Sequence, residues 1–152
     1  MTANRLMVAV DESEDCLAAI DVAAELARGL GGTLTLLAAA PVAPAPAPAY
    51  SPESPASSVQ SPGPEQQELL DGVARERLDE LVERVGDGID VRGELSWGPL
   101  GRAVIEQAET GSFDLVVVAW PARGALGHLL HDHASRYVLE HSALPVLAVP
   151  GG

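Results

Sequence analysis

RLMVAVDESEDCLAAIDVAAELARGLGGTLTLLAA, running from Arg5 to Ala39, contains one complete strand–helix–strand unit. Arg5–Val10 reads as a buried strand, with five apolar residues in a row, Leu6–Val10, ended by Asp11. A helix is expected from about Ser13 to Arg28. Ser13 or Asp15 is its expected N-cap, and acidic residues crowd the first turn, where the helix dipole favours them. Leu17, Ile20, Ala24 and Ala27 recur at three- and four-residue spacing and give one apolar face. Gly29, Gly31 and Gly32 are expected to stop the helix, and Thr33–Ala39 reads as a second buried strand.

The same alternation continues to the C-terminus. Glu65–Val85 is an expected helix with Leu70, Val73, Leu78, Leu81, Val82 and Val85 inward, closed by Gly86 and Gly88. Ile89–Leu95 reads as a third strand. Pro99 opens a third helix that carries Ala103, Ile105 and Ala108 inward and ends at Gly111. Phe113–Trp120 contains Leu115–Ala119, the strongest buried-strand signal in the chain. A glycine-bearing loop, Pro121–His133, precedes a short helix at about Ala134–Ser142 and a last strand, Leu144–Val149. Near-continuous apolar strands alternating with amphipathic helices predict an α/β fold. Its expected form is a doubly wound, Rossmann-like, five-stranded parallel sheet with helices on both faces. Ligands of such sheets sit outside the carboxyl ends of the strands. Those ends are Asp11, Ala38–Ala40, Trp97–Gly98 and Ala119–Pro121.

Length fits one domain over residues 1–152, interrupted by a different kind of segment. Pro41–Pro64 holds eight of the twelve prolines, with runs of Ala and Ser. It has little to bury and reads either as an extended surface insertion or as a partner-binding polyproline segment. Hydrophobic residues make up 47% of the chain but aromatics only 3%, so the core is built from Ala, Val and Leu. The net charge of −13 repels nucleic acid and anionic membranes, so neither is an expected partner. All nine basic residues are Arg; without Lys there is no Schiff-base chemistry and no Walker-type lysine. Cys16 is the only cysteine, which excludes an intrachain disulfide and suits a reducing, cytoplasmic setting.

Three stretches carry a family likeness. VAVDESEDCLAAIDVAAELA at Val8–Ala27, WGPLGRAVIEQAE at Trp97–Glu109, and FDLVVVAW with the following RGALGHLLHDHASRYVLEHSALPVLAVP together resemble the universal stress protein (UspA) family. The resemblance covers the chain apart from the Pro/Ala/Ser loop. It implies a regulatory protein, often nucleotide-binding, that dimerises through its last strand. The family's ligand loop follows G-x-x-G-(nine residues)-G-(S/T). Its four positions fall here on Ala119, Ala122, Asp132 and His133, and none matches. Glycines there let the backbone cradle phosphates. A carboxylate at Asp132 faces the polyphosphate instead: two unit charges about 4 Å apart repel by roughly 4 kcal/mol at an effective dielectric near 20. That removes about three decades of affinity, unless a metal ion bridges the two. By the same resemblance Asp11 faces adenine, Ala38 lies at the second strand's end, Arg123 is in reach of an anion, and Ser135 is the second hydroxyl of the last helix. Ser135 reads equally as a helix cap, Asp11 as a cap or turn residue, and Arg123 as a solvated charge.

All four histidines fall between His128 and His141. His128, His131 and His133 surround Asp132, which suits surface packing, a pH-sensitive patch or a divalent metal site; the spacing matches no zinc signature. No nucleophile motif is present, and Cys16 reads as a small packing residue, so a binding module is expected rather than an enzyme. The resulting expectation is a regulatory or interaction module with weak or absent ATP binding and no cofactor. Its expected partners are a second copy, joined through Leu144–Val149, and an unidentified protein. The alternative is a stress sensor that takes ATP or AMP, with Mg, through a divergent site.

Overall fold

In the computed structural model, residues 4–42, 64–120 and 133–151 are described. The order is β1 (Arg5–Val10), α1 (Asp15–Leu30), β2 (Thr33–Ala40), α2 (Pro64–Val85), β3 (Asp90–Trp97), α3 (Leu100–Thr110), β4 (Leu115–Trp120), α4 (His133–His141) and β5 (Val146–Pro150). The five strands form one parallel sheet in the order β3-β2-β1-β4-β5. The order reverses at β1, so the switch point lies at the carboxyl ends of β1 and its neighbours.

Alternate residues of the strands feed two cores. Leu6, Val8 and Val10 pack with Leu34, Leu36 and Val117 under α1 and α2; Met7 and Ala9 pack with Leu37, Val116 and Val118 under α3 and α4. Burial on both faces is why these strands read as unbroken apolar runs rather than alternating ones. The α1 face works through small residues, Cys16, Ala19, Ala23 and Ala27, which bring the helix close to the sheet. Arg28 of α1 donates to the Val85 carbonyl at the end of α2 and ties the two helices together.

Gly31 and Gly93 are two of the glycines that the geometry demands. Gly31 caps α1 at φ 64°, a left-handed conformation that favours glycine, and its N–H reaches the Ala27 and Arg28 carbonyls. Gly93 of β3 lies under α2: a Cβ there would stand 2.8 Å from Leu78 Cγ.

Several boundaries differ from expectation for local reasons. The N-cap of α1 is Glu14, with no side-chain cap bond, because the Ser13 hydroxyl donates to Asp11 Oδ1 instead. Gly29 lies within α1, and only Gly31 breaks it. Pro99 is the N-cap residue of α3 rather than its first helical residue. β5 starts at Val146, not Leu144, because Leu144 is held in a turn with Ser142: its N–H donates to Ser142 Oγ at 3.1 Å, and that hydroxyl donates to the Leu144 carbonyl at 2.9 Å. The Pro/Ala/Ser stretch 43–63 lies outside the described residues. Among the described residues no helix is long and apolar enough to cross a membrane.

Candidate functional site

A cavity of about 390 Å³ opens at the carboxyl ends of β1, β2 and β3. This is the size range of small-molecule sites, about 300–1,000 Å³. The strand ends supply Val10, Asp11 and Ala38–Ala40; α2 supplies the facing wall with Leu70, Val73, Ala74, Arg77 and Leu78; Gly98 and Leu100 close the third side. Val73 belongs to the inner stripe of α2 as expected from its spacing, yet it is 68% exposed. Its wall faces the open cavity rather than packed core.

The α2 wall is held by polar ties at its first half. Trp97 Nε1 and Gln67 Nε2 both donate to Asp71 Oδ1, each at 2.9 Å, and Gln67 also donates to the Pro41 carbonyl at 3.1 Å. These bonds pin the helix to the ends of β2 and β3. Trp97 was expected only as a strand end; it is 55% exposed and acts as an anchor.

Asp11 follows directly on β1 and lies in the cavity wall. Its Oδ1 accepts from both the backbone N–H and the hydroxyl of Ser13, at 2.8 and 2.6 Å. The turn reading of Asp11 therefore holds together with its place in the cavity. Ala38 also lines the cavity. Ala119 and Ser135 do not: they meet each other. The buried Ser135 hydroxyl donates to the Ala119 carbonyl at 2.6 Å, tying α4 to the end of β4. The helix-cap reading of Ser135 gives way to this inter-element bond, because the side chain points at β4 rather than at its own helix's N–H groups. Ala122, Arg123, Asp132, His128 and His131, and the side chain of His133, lie outside the described residues. Among the described residues no group of three His, Cys, Asp or Glu could hold a metal ion.

Arg77 is the residue that the sequence reading missed. Its Nη2 approaches the Asp11 and Ser13 carbonyls at 3.4 and 3.5 Å and Cys16 Sγ at 3.9 Å. Its Nε is buried without a hydrogen-bond partner. The signal was present: Leu70, Val73, Arg77 and Leu81 share one helical stripe, and a charge on that stripe must point inward. Cys16 beneath it is buried, and its thiol donates to the Ser13 carbonyl at 3.1 Å. Burial, and then the Asp11 charge, push its pKa above the ordinary thiol value, against the opposing pull of Arg77. The thiol therefore stays protonated at neutral pH.

The sequence pattern of the universal stress protein family matches residues 2–150. The chain belongs to the universal stress protein family. No curated protein matches it in sequence. Solved structures do match in fold. UspA from Lactobacillus plantarum aligns with a TM-score of 0.69 at 21% identity, over 96% of this chain and 97% of that one. A universal stress protein in complex with cAMP aligns with a TM-score of 0.69 at 22% identity, over 99% of each chain. The Archaeoglobus fulgidus universal stress protein in complex with dAMP aligns with a TM-score of 0.64 at 18% identity, over 98% and 99%.

Proposed function

We propose that this universal stress protein is a regulatory module that acts by binding, not catalysis, and that takes ATP weakly or not at all. The supporting observation is at the β4–α4 end. The Ser135 hydroxyl, which the family resemblance offers to phosphate, already donates its proton to the Ala119 carbonyl at 2.6 Å. A hydroxyl has one proton to give, so toward a phosphate oxygen it has no donor left unless that bond breaks. Asp132 adds a carboxylate, and Ala119 and Ala122 add methyl groups, at the positions the family keeps as glycine. The test restores the family pattern with Ala119→Gly, Ala122→Gly, Asp132→Gly and His133→Ser together. The restored protein should gain at least tenfold in ATP affinity, about 1.4 kcal/mol. Equal and tight ATP binding by both proteins would refute the reading.

A second reading, an ATP- or AMP-binding sensor using Mg, draws on the cavity beside Asp11 and on relatives whose structures hold cAMP and dAMP. A homodimer through β5 belongs to the main proposal: β5 ends the sheet, with β4 on one side only. An apolar edge strand left open invites pairing with another chain. A cytoplasmic setting completes it, in keeping with a single free thiol.

A further inference from the structure

We propose that Arg77 is the anion-recognising residue of the cavity, and that the ligand is a small organic monoanion whose apolar or aromatic body lies on the Ala38–Ala40 and α2 walls. This rests on reading the cavity as the ligand site. Arg77 lines that cavity from α2, the wall opposite the strand ends. Among the described residues no carboxylate lies in salt-bridge range of it; the ion pairs found join Arg84 to Asp21 and Arg92 to Asp90. Its hydrogen bonds go to neutral groups and are long, between 3.4 and 3.9 Å. A guanidinium carries five N–H donors; the bonds it makes use Nη2 alone, which leaves the Nη1 donors for a ligand, while Nε is buried out of reach with no acceptor. A partly buried cation held this loosely is costly by itself and is relieved by an incoming oxyanion, which a planar guanidinium fork fits well.

The rest of the lining sets the charge and shape of that ligand. Most of the wall is Ala, Val, Leu and Pro, which suits an apolar body. Asp11 and Glu12 share the lining with Arg77, so one cation faces two carboxylates across the cavity as a whole. A single negative charge can pair with Arg77 at contact; a polyphosphate brings several charges against Asp11 and Glu12. The anion subsite thus lies on α2, away from the β4–α4 end where Ser135 is already engaged. Cyclic nucleotides and organic carboxylates share the required chemistry, one oxyanion on an apolar or aromatic body.

The experiment is calorimetric titration of the wild type and Arg77→Gln with four probes, without divalent metal: cyclic AMP, octanoate, adenosine and ATP. Cyclic AMP, octanoate or both should bind the wild type and lose about tenfold or more in affinity in Arg77→Gln. Which of the two binds separates the nucleotide source from the carboxylate source. Adenosine, which has no charge, should not distinguish the two proteins. Monoanion binding unchanged in Arg77→Gln would overturn the assignment, and so would failure of both monoanions to bind the wild type. Tight ATP binding by the wild type would instead overturn the proposed function and leave the Arg77 comparison standing. If Arg77→Gln does not fold, the wild type alone decides: about 0.5 M salt should weaken the monoanions and spare adenosine. Equal salt response of charged and neutral probes would refute the pairing.

Discussion

Gly93→Ala tests how the cavity wall is set. The added Cβ would stand 2.8 Å from Leu78 Cγ, 3.1 Å from Leu78 Cδ2 and 3.3 Å from Val82 Cγ2. Leu78 is fully buried, so relief comes only by turning it into the cavity it also lines or by shifting α2 outward, and either move disturbs the cavity wall. Overpacking of this kind costs about 1–3 kcal/mol. Gly93 does not use a positive φ, so alanine brings no backbone strain and recovers roughly 0.5–1 kcal/mol from the unfolded chain. The net loss centres on about 1 kcal/mol, and at roughly 2–4 °C per kcal/mol for a domain of this length the Tm falls by about 2–4 °C. Urea denaturation with an unchanged m-value should report the same loss. The double variant with Leu78→Ala isolates the cause. Leu78→Ala alone should cost about 2–5 kcal/mol, but in that background Gly93→Ala should be neutral or stabilising. A Gly93→Ala penalty that persists in full without Leu78 would refute the clash as its origin.

Three more outcomes follow from the same geometry. Ser135→Ala removes a buried 2.6 Å bond and should lower stability by about 1–2 kcal/mol in urea denaturation; an unchanged midpoint would mean that the α4–β4 tie carries no weight. The buried Cys16 thiol has a folded pKa raised above its ordinary 9.0. Its contribution to stability is therefore fully present below pH 9 and is lost as the pH rises through the folded value; Cys16→Ala should flatten the alkaline limb of a pH–stability curve, and an identical limb in both proteins would contradict this. Light scattering should give a particle of twice the 15.7 kDa chain mass, and a single-chain mass would count against pairing through β5.

The fold was legible because it is written in uninterrupted apolar runs. Leu6–Val10 and Leu115–Ala119 need burial on both faces, which only a covered parallel sheet supplies. Element ends were less legible because they depend on side-chain choices made in three dimensions. Ser13 had the chemistry of a cap, but Asp11 lay closer to its hydroxyl. The candidate site was legible at Asp11 and Ala38, which the strand ends place mechanically. Arg77 was not, because a charged residue in a helix rich in Glu and Arg reads as solvated surface until its stripe is counted. Ser135 was found as a residue but misjudged in role, since its partner Ala119 is sixteen residues away and carries no side-chain signal.

The most direct test of the account is the melting temperature with and without millimolar Mg-ATP. A ligand present at about 1,000 times its dissociation constant stabilises by roughly 4 kcal/mol, several degrees or more for a domain of this size. No resolvable shift is expected, because the Ser135 proton is committed to Ala119 and the sequence carries Asp132 where the family keeps glycine. A clear rise of several degrees would contradict this and make the protein an ATP-binding sensor.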